Sequence, residues 1–211
     1  WKRHAGFDVV CDVGTSANKD VPHGLNAVPE MIWRKNRESN SSSKGNWIVY
    51  HKDLPNHSSG QINYLKLNDN GIGNTGHMYW YAPTKDVFRV QAETDLNWNG
   101  YNYINVLFSS VDGISKVGSY TGTGVSGNTI TVGFAPRFVI IKNTSRVSTS
   151  WAVLDTVRGW GSGDDKSLEL NDSQAQETYN YGAPTSTGFT LEETGNWTNR
   201  ANDKYIYYAH A

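Results

Sequence analysis

Cysteine is almost missing from this chain. Cys11 stands alone in 211 residues, so no internal disulfide can form and no thiolate cluster can hold zinc. Its setting in the run Phe7-Asp8-Val9-Val10-Cys11 predicts a small buried side chain. Charge is also sparse: 19 Lys+Arg against 20 Asp+Glu leave a net charge of −1. Without a basic excess, nucleic-acid binding is not expected. Leu, Ala, Glu and Lys are too few for a helical bundle. No apolar run approaches the roughly 18 residues of a membrane helix, which argues against membrane insertion. The sequence lacks a phosphate loop, a His-Glu-x-x-His and a Cys-x-x-Cys. No catalytic residue, cofactor or metal site is expected, and the scattered histidines, among them His51 beside Pro55, are expected on solvated loops.

What is present is glycine, asparagine and aromatic rings. There are 21 Gly, 8 Trp, 12 Tyr and 6 Phe, too many rings for a disordered chain. Short apolar or alternating segments are punctuated by Asn70-Gly71, Asn99-Gly100, Gly122-Thr-Gly124 and Ser126-Gly127-Asn128. They predict strands over 7–13, 31–35, 47–51, 64–67, 87–90 and 101–111. A second series follows over 117–120, 129–132, 138–142, 151–155, 168–170, 188–191 and 204–209.

The two series repeat. Pro29 to Asn36 aligns with Pro136 to Asn143 at an offset of 107, and Trp47-Ile-Val49 with Trp151-Ala-Val153 at 104. Leu65-Lys-Leu67-Asn68-Asp69 aligns with Leu168-Glu-Leu170-Asn171-Asp172, Ala82-Pro83-Thr84 with Ala183-Pro184-Thr185, and Tyr103-Ile104 with Tyr205-Ile206. Order is kept, and the offset drifts only where Ser-, Asn- and Gly-rich loops absorb insertions. The expected fold is therefore all-β: two tandem antiparallel β-sandwich, jelly-roll-like domains related by internal duplication, at 1–112 and 113–211. Trp98 and Trp197, each after Asn near the end of a copy, read as structural. The repeat pattern continues past residue 1, so a further domain is expected before Trp1.

Unduplicated aromatics are the remaining handle on binding. Trp160, in Arg158-Gly-Trp-Gly-Ser-Gly, and Trp80, in Tyr79-Trp80-Tyr81, sit in polar loops where a ring face and nearby donors suit a sugar. Tyr81, Arg158 and Asp164 complete this candidate ligand set; core or interface packing is the plainer reading. Asp164-Asp165 in a Gly/Ser loop has oxygen ligands of the kind calcium prefers, with a solvated loop as the simpler account. Glu192-Glu193, neighbours in sequence, point to opposite sides and do not by themselves make a carboxylate pair for glycoside hydrolysis.

The blocks Gly118-Ser-Tyr-Thr-Gly122-Thr-Gly124, Val132 to Lys142 and Ser150 to Arg158 resemble a repeated domain in structural proteins of marine tailed phages, cyanophages included. The likeness covers both copies, more closely the second. Copy 1 departs from it at Cys11-Asp-Val-Gly14-Thr. The resemblance implies a non-enzymatic part of a virion appendage, such as a tail fibre, assembled in the host cytoplasm and acting at the host cell surface. By analogy with fibres a homotrimer is expected, with other virion proteins as partners, and the domain either presents its loop aromatics to a host-surface glycan or holds the appendage together. Two alternatives stand beside it: a polysaccharide-depolymerising enzyme domain, and a carbohydrate-binding module of a secreted bacterial protein.

Overall fold

The computed structural model describes residues 6–38, 45–55, 62–73 and 81–211. Among these, sixteen short strands are joined by one four-residue helix, α1 (Thr94–Asn97), and one 3-10 turn (Thr156–Arg158). The protein is nearly all β, with several antiparallel sheets. No helix among the described residues is long and apolar enough to cross a membrane. The chain divides into two compact units: residues 1–68 with 73–109, and residues 69–72 with 110–211.

The first unit contains β1 (Phe7–Val13), β2 (Lys19–Pro22), β3 (Met31–Asn36), β4 (Trp47–His51), β5 (Leu65–Lys66), β6 (Val87–Val90) and β7 (Asn102–Phe108). Five of them form one sheet in the order β1-β7-β3-β4-β5, and β2 pairs with β6. The alternation in β1 runs against the expectation for Cys11, which is exposed. Its period of two sends Asp8 and Asp12 inward instead. Asp8 is fully buried and accepts from the Gly24 amide at 2.8 Å. Asp12 meets Arg34, a guanidinium with no solvent exposure. Arg34 donates to both Asp12 oxygens, to Asn105 Oδ1 and to the Leu96 carbonyl, and lies 4.0 Å from the Tyr103 ring centre. Burial pushes the Asp12 carboxyl up, but hydrogen bonds from Arg34, Lys19 and Asn105, with the Arg34 charge, outweigh it and hold it below its ordinary value. His51 is buried in β4 rather than placed on a solvated loop, because the strand runs on through it.

The second unit contains β8 (Ser115–Thr121), β9 (Asn128–Thr131), β10 (Phe138–Asn143), β11 (Trp151–Asp155), β12 (Asp165–Glu169), β13 (Glu177–Tyr179), β14 (Pro184–Thr185), β15 (Gly188–Leu191) and β16 (Lys204–His210). Six make a sheet ordered β13-β12-β11-β10-β16-β8, and β14-β15-β9 make another. Val139 and Ile141 of β10 and Tyr205, Tyr207 and Ala209 of β16 show the period of two and point to one side. There they join Ile130, Phe189 and Leu191 of the smaller sheet in a single apolar core, the arrangement that buries one face of each sheet. Tyr120 stacks on Tyr205 with ring centres 4.9 Å apart.

The sequence pattern located most strands to within a residue or three. It missed β2, β13, β14 and α1, which are short, polar or interrupted by Pro.

Candidate functional site

A hollow among the described residues lies at the open edge of the six-stranded sheet. Glu177 and Tyr179, two apart on edge strand β13, lie on one face of that strand. With Thr178, Tyr181, Glu193 and Trp197 they line a groove of about 460 Å³. Tyr179 is 57% exposed. Its ring meets Tyr181 edge-on, centres 5.6 Å apart at 61°. Tyr181 is buried and accepts from Ser167 Oγ at 3.2 Å. Trp197 is half-buried against the apolar core. The groove thus has aromatic walls of graded exposure.

Its rim carries charge. Glu193 is nearly buried and is held by the turn that follows it: Oε2 accepts from Thr198 N and Oγ1, both at 2.9 Å, and Oε1 from the Gly195 amide. Those bonds fix the carboxylate, which has no ion-pair partner among the described residues. Burial raises the Tyr181 phenol pKa; the Ser167 hydrogen bond opposes this, while the charges of Glu177, Glu193 and Glu169 add to it. Both rim carboxylates are thus felt at the same ring. Lys166 donates to Thr178 Oγ1 at 3.0 Å. Among the described residues no group of three or more His, Cys, Asp or Glu is arranged to hold a metal ion.

The residues expected from the sequence lie elsewhere. Trp160 is a core residue, only 4% exposed, packed edge-on to Phe189 at 6.0 Å. This corrects its reading as a loop aromatic: the Gly-rich turn folds the indole inward, leaving no open ring face for a sugar. Arg158, on the 3-10 turn, is exposed and paired with Asp155 at 2.6 Å. Asp164 is exposed on the turn before β12. Its neighbour Asp165 is buried and accepts from the amides of Gly161, Tyr181 and Gly182, so it pins a turn. Tyr81 belongs to the first unit and lines a smaller hollow of about 230 Å³ with Asp20, Ala82, Thr84, Val87 and Arg89. Trp80 lies outside the described residues. Sequence reading missed Glu177, Tyr179 and Tyr181, although Glu177-Thr-Tyr179-Asn-Tyr181 alternates with the period of a strand. It set Trp197 aside as structural.

Fold and groove define a class: an all-β protein of antiparallel sheets with an acidic, aromatic-walled groove at a sheet edge. The family model described as "Domain of unknown function (DUF7483)" matches residues 2–211, across both units, and the chain belongs to that family. No curated protein and no solved structure matches it.

Proposed function

We propose that this chain is one β-sandwich unit written twice, and that it serves as a non-catalytic structural part of a virion appendage that touches host-surface glycan. The first half of this reading is supported by paired geometry. Sheet order β1-β7-β3-β4-β5 has its counterpart in β8-β16-β10-β11-β12. Met31 faces Phe108 and His51, as Phe138 faces His210 and Asp155. Lys35 faces Trp47, as Lys142 faces Trp151.

Side chains repeat the same bonds. Tyr103 Oη accepts from the Trp98 amide and Tyr205 Oη from the Arg200 amide. Asn97 Oδ1 accepts from Thr15 N, and Asn199 Oδ1 from Thr123 N. Asn68 Oδ1 accepts from Trp47 N, and Asn171 Oδ1 from Trp151 N. The matched letters are thus hydrogen-bonded scaffold. On this register Trp98 answers to Arg200 and Trp197 to Asp95, so the two tryptophans are not equivalents.

The observation that carries the non-catalytic reading is what the buried carboxylates do. Asp12 holds Arg34, Asp165 holds three amides, Glu193 caps a turn, and Asp203 accepts from Asn143 and Arg146. The virion and glycan parts draw on the phage-domain resemblance of the second copy and on the edge groove. A homotrimer is proposed on the same analogy. The test pairs two experiments. Immobilised protein should retain host-envelope polysaccharide without shortening it by size exclusion. Immunogold against the chain should decorate an appendage of phage particles whose genomes encode it. Unlabelled particles overturn the virion reading.

One observation favours a second reading. Glu177 and Glu193 line one groove, and glycoside hydrolysis uses two carboxylates flanking the bond. Shortened polysaccharide, abolished by Glu177→Gln, would install the depolymerase in place of the binder.

A further inference from the structure

We infer that the β13 groove is a subsite for a short saccharide bearing free amines, a 2-amino-2-deoxyhexose chain, and that it rejects uronic acids. The inference rests on the glycan-contacting reading and goes beyond it by naming the site and the sugar class. Three features converge on it. The groove's volume, about 460 Å³, falls in the range of small-ligand clefts, ~300–1,000 Å³. Its exposed wall is Tyr179, whose open face suits the apolar face of a pyranose, backed by Tyr181 and Trp197.

Charge then selects among sugars. Two carboxylates, Glu177 and Glu193, line the groove with no Lys or Arg among the described lining residues, and Lys166 is tethered to Thr178, whose side of β13 is opposite to that of Glu177 and Tyr179. The electron-rich ring faces add to the attraction for a positive group. An ammonium on the sugar is therefore drawn to the rim, whereas a uronate meets carboxylates of its own sign. On the proposed register the corresponding positions of the first unit carry Gln91 for Glu193 and Asp95 for Trp197, so these two lining residues are not repeated among its described residues.

The probes are glucosamine oligomers, N-acetylglucosamine oligomers and oligogalacturonate, titrated into the whole chain with residue-level NMR. Glucosamine oligomers should bind tightest and shift Tyr179 and the Trp197 indole; oligogalacturonate should not bind. Tyr179→Ala, an exposed site whose loss leaves the fold intact, should weaken binding about tenfold or more. Glu177→Gln should weaken the amine probe about three- to fivefold at low salt and leave the acetylated probe within about twofold. No binding by any probe overturns the subsite. So does binding that Tyr179→Ala leaves unchanged, or a preference for oligogalacturonate. Each of these leaves polysaccharide retention and virion labelling to stand or fall separately.

Discussion

Replacing Asp12 by Asn tests how the first unit is held together. Arg34 sits with no solvent exposure, and Asp12 supplies its only full counter-charge within hydrogen-bond reach among the described residues. Breaking one side of a buried pair costs ~3–5 kcal/mol, because a desolvated charge is left behind. Here Arg34 keeps Asn105 Oδ1, the Leu96 carbonyl and the Tyr103 face, and Asp12 is 9% exposed, which places the loss at the lower end, about 3 kcal/mol. With a urea slope of about 2 kcal/mol/M for a small domain, the midpoint falls by about 1.5 M. Hydrogen exchange on β1, β3 and β7 reads this unit separately from the other.

The sign with pH follows from Asp12. Its folded pKa lies below its unfolded one, so its contribution is present above the unfolded value and lost as pH falls through the folded one. The gap between wild type and Asp12→Asn should be full at pH 7 and close at strongly acidic pH. The double variant Asp12→Leu/Arg34→Met, which removes both charges together, should stay within about 2 kcal/mol of wild type at pH 7. The reasoning fails if Asp12→Asn costs under about 1 kcal/mol at pH 7, or if its deficit persists undiminished in acid.

Other consequences can be read the same way. A Cβ at Gly14 would lie 1.9 Å from the Trp98 carbonyl oxygen, and one at Gly122 2.2 Å from that of Arg200. Gly14→Ala and Gly122→Ala should each destabilise their own unit by about 2–3 kcal/mol in hydrogen exchange, and loss in the wrong unit would contradict the assignment. Burial lowers Lys142 to about 8, with the Asp69 charge opposing. The unfolded lysine keeps its proton to higher pH, so the second unit should gain stability between pH 8 and 9.5 by urea midpoint. Lys142→Met should flatten that rise. Trp160 Nε1 is buried with no hydrogen-bond partner among the described residues, so Trp160→Phe should stay within about 1 kcal/mol of wild type. Trp160→Ala should cost ~3–5 kcal/mol; a Trp160→Phe loss well above about 1 kcal/mol would count against an unsatisfied indole nitrogen.

Legibility in the sequence followed the strength of local patterns. Strands β10, β11 and β16 are runs of Val, Ile, Tyr and Ala with a clear period, and their bounds were readable to within two residues. Strand β1 was also visible, but its facing was not. Phe7, Val9 and Cys11 look like the inner set until Arg34, 22 residues beyond Asp12, supplies a reason for the aspartates to turn inward. Trp160 failed similarly: a Gly-rich neighbourhood suggested exposure, while the core that receives it comes from β15, close to 30 residues later. The groove escaped because Glu177-Thr-Tyr179 is polar and short, and becomes a wall only once the turn at 193–198 folds toward it.

The two units, read as copies, solve one packing problem in two ways. Across β1, β7 and β3 of the first sheet stand Asp12, Asn105 and Arg34, bound to one another. On the proposed register their counterparts are Tyr120, Ile141 and Tyr207, and the two tyrosine rings lie 6.2 Å apart. A charged triad and an aromatic-aliphatic one can occupy the same layer because neighbouring strands set the spacing while side-chain volume fills it. The exchange is not free in both directions. Removing one member of the ionic set strands a charge, whereas trimming Tyr120 leaves only a cavity and the Thr198 carbonyl to rehydrate. Single substitutions should therefore be more damaging per atom in the first unit, and simultaneous ones should be better tolerated there than their singles. Double-mutant cycles on Asp12 with Arg34 and on Tyr120 with Tyr207 measure that asymmetry: the coupling should be large in the first pair and small in the second.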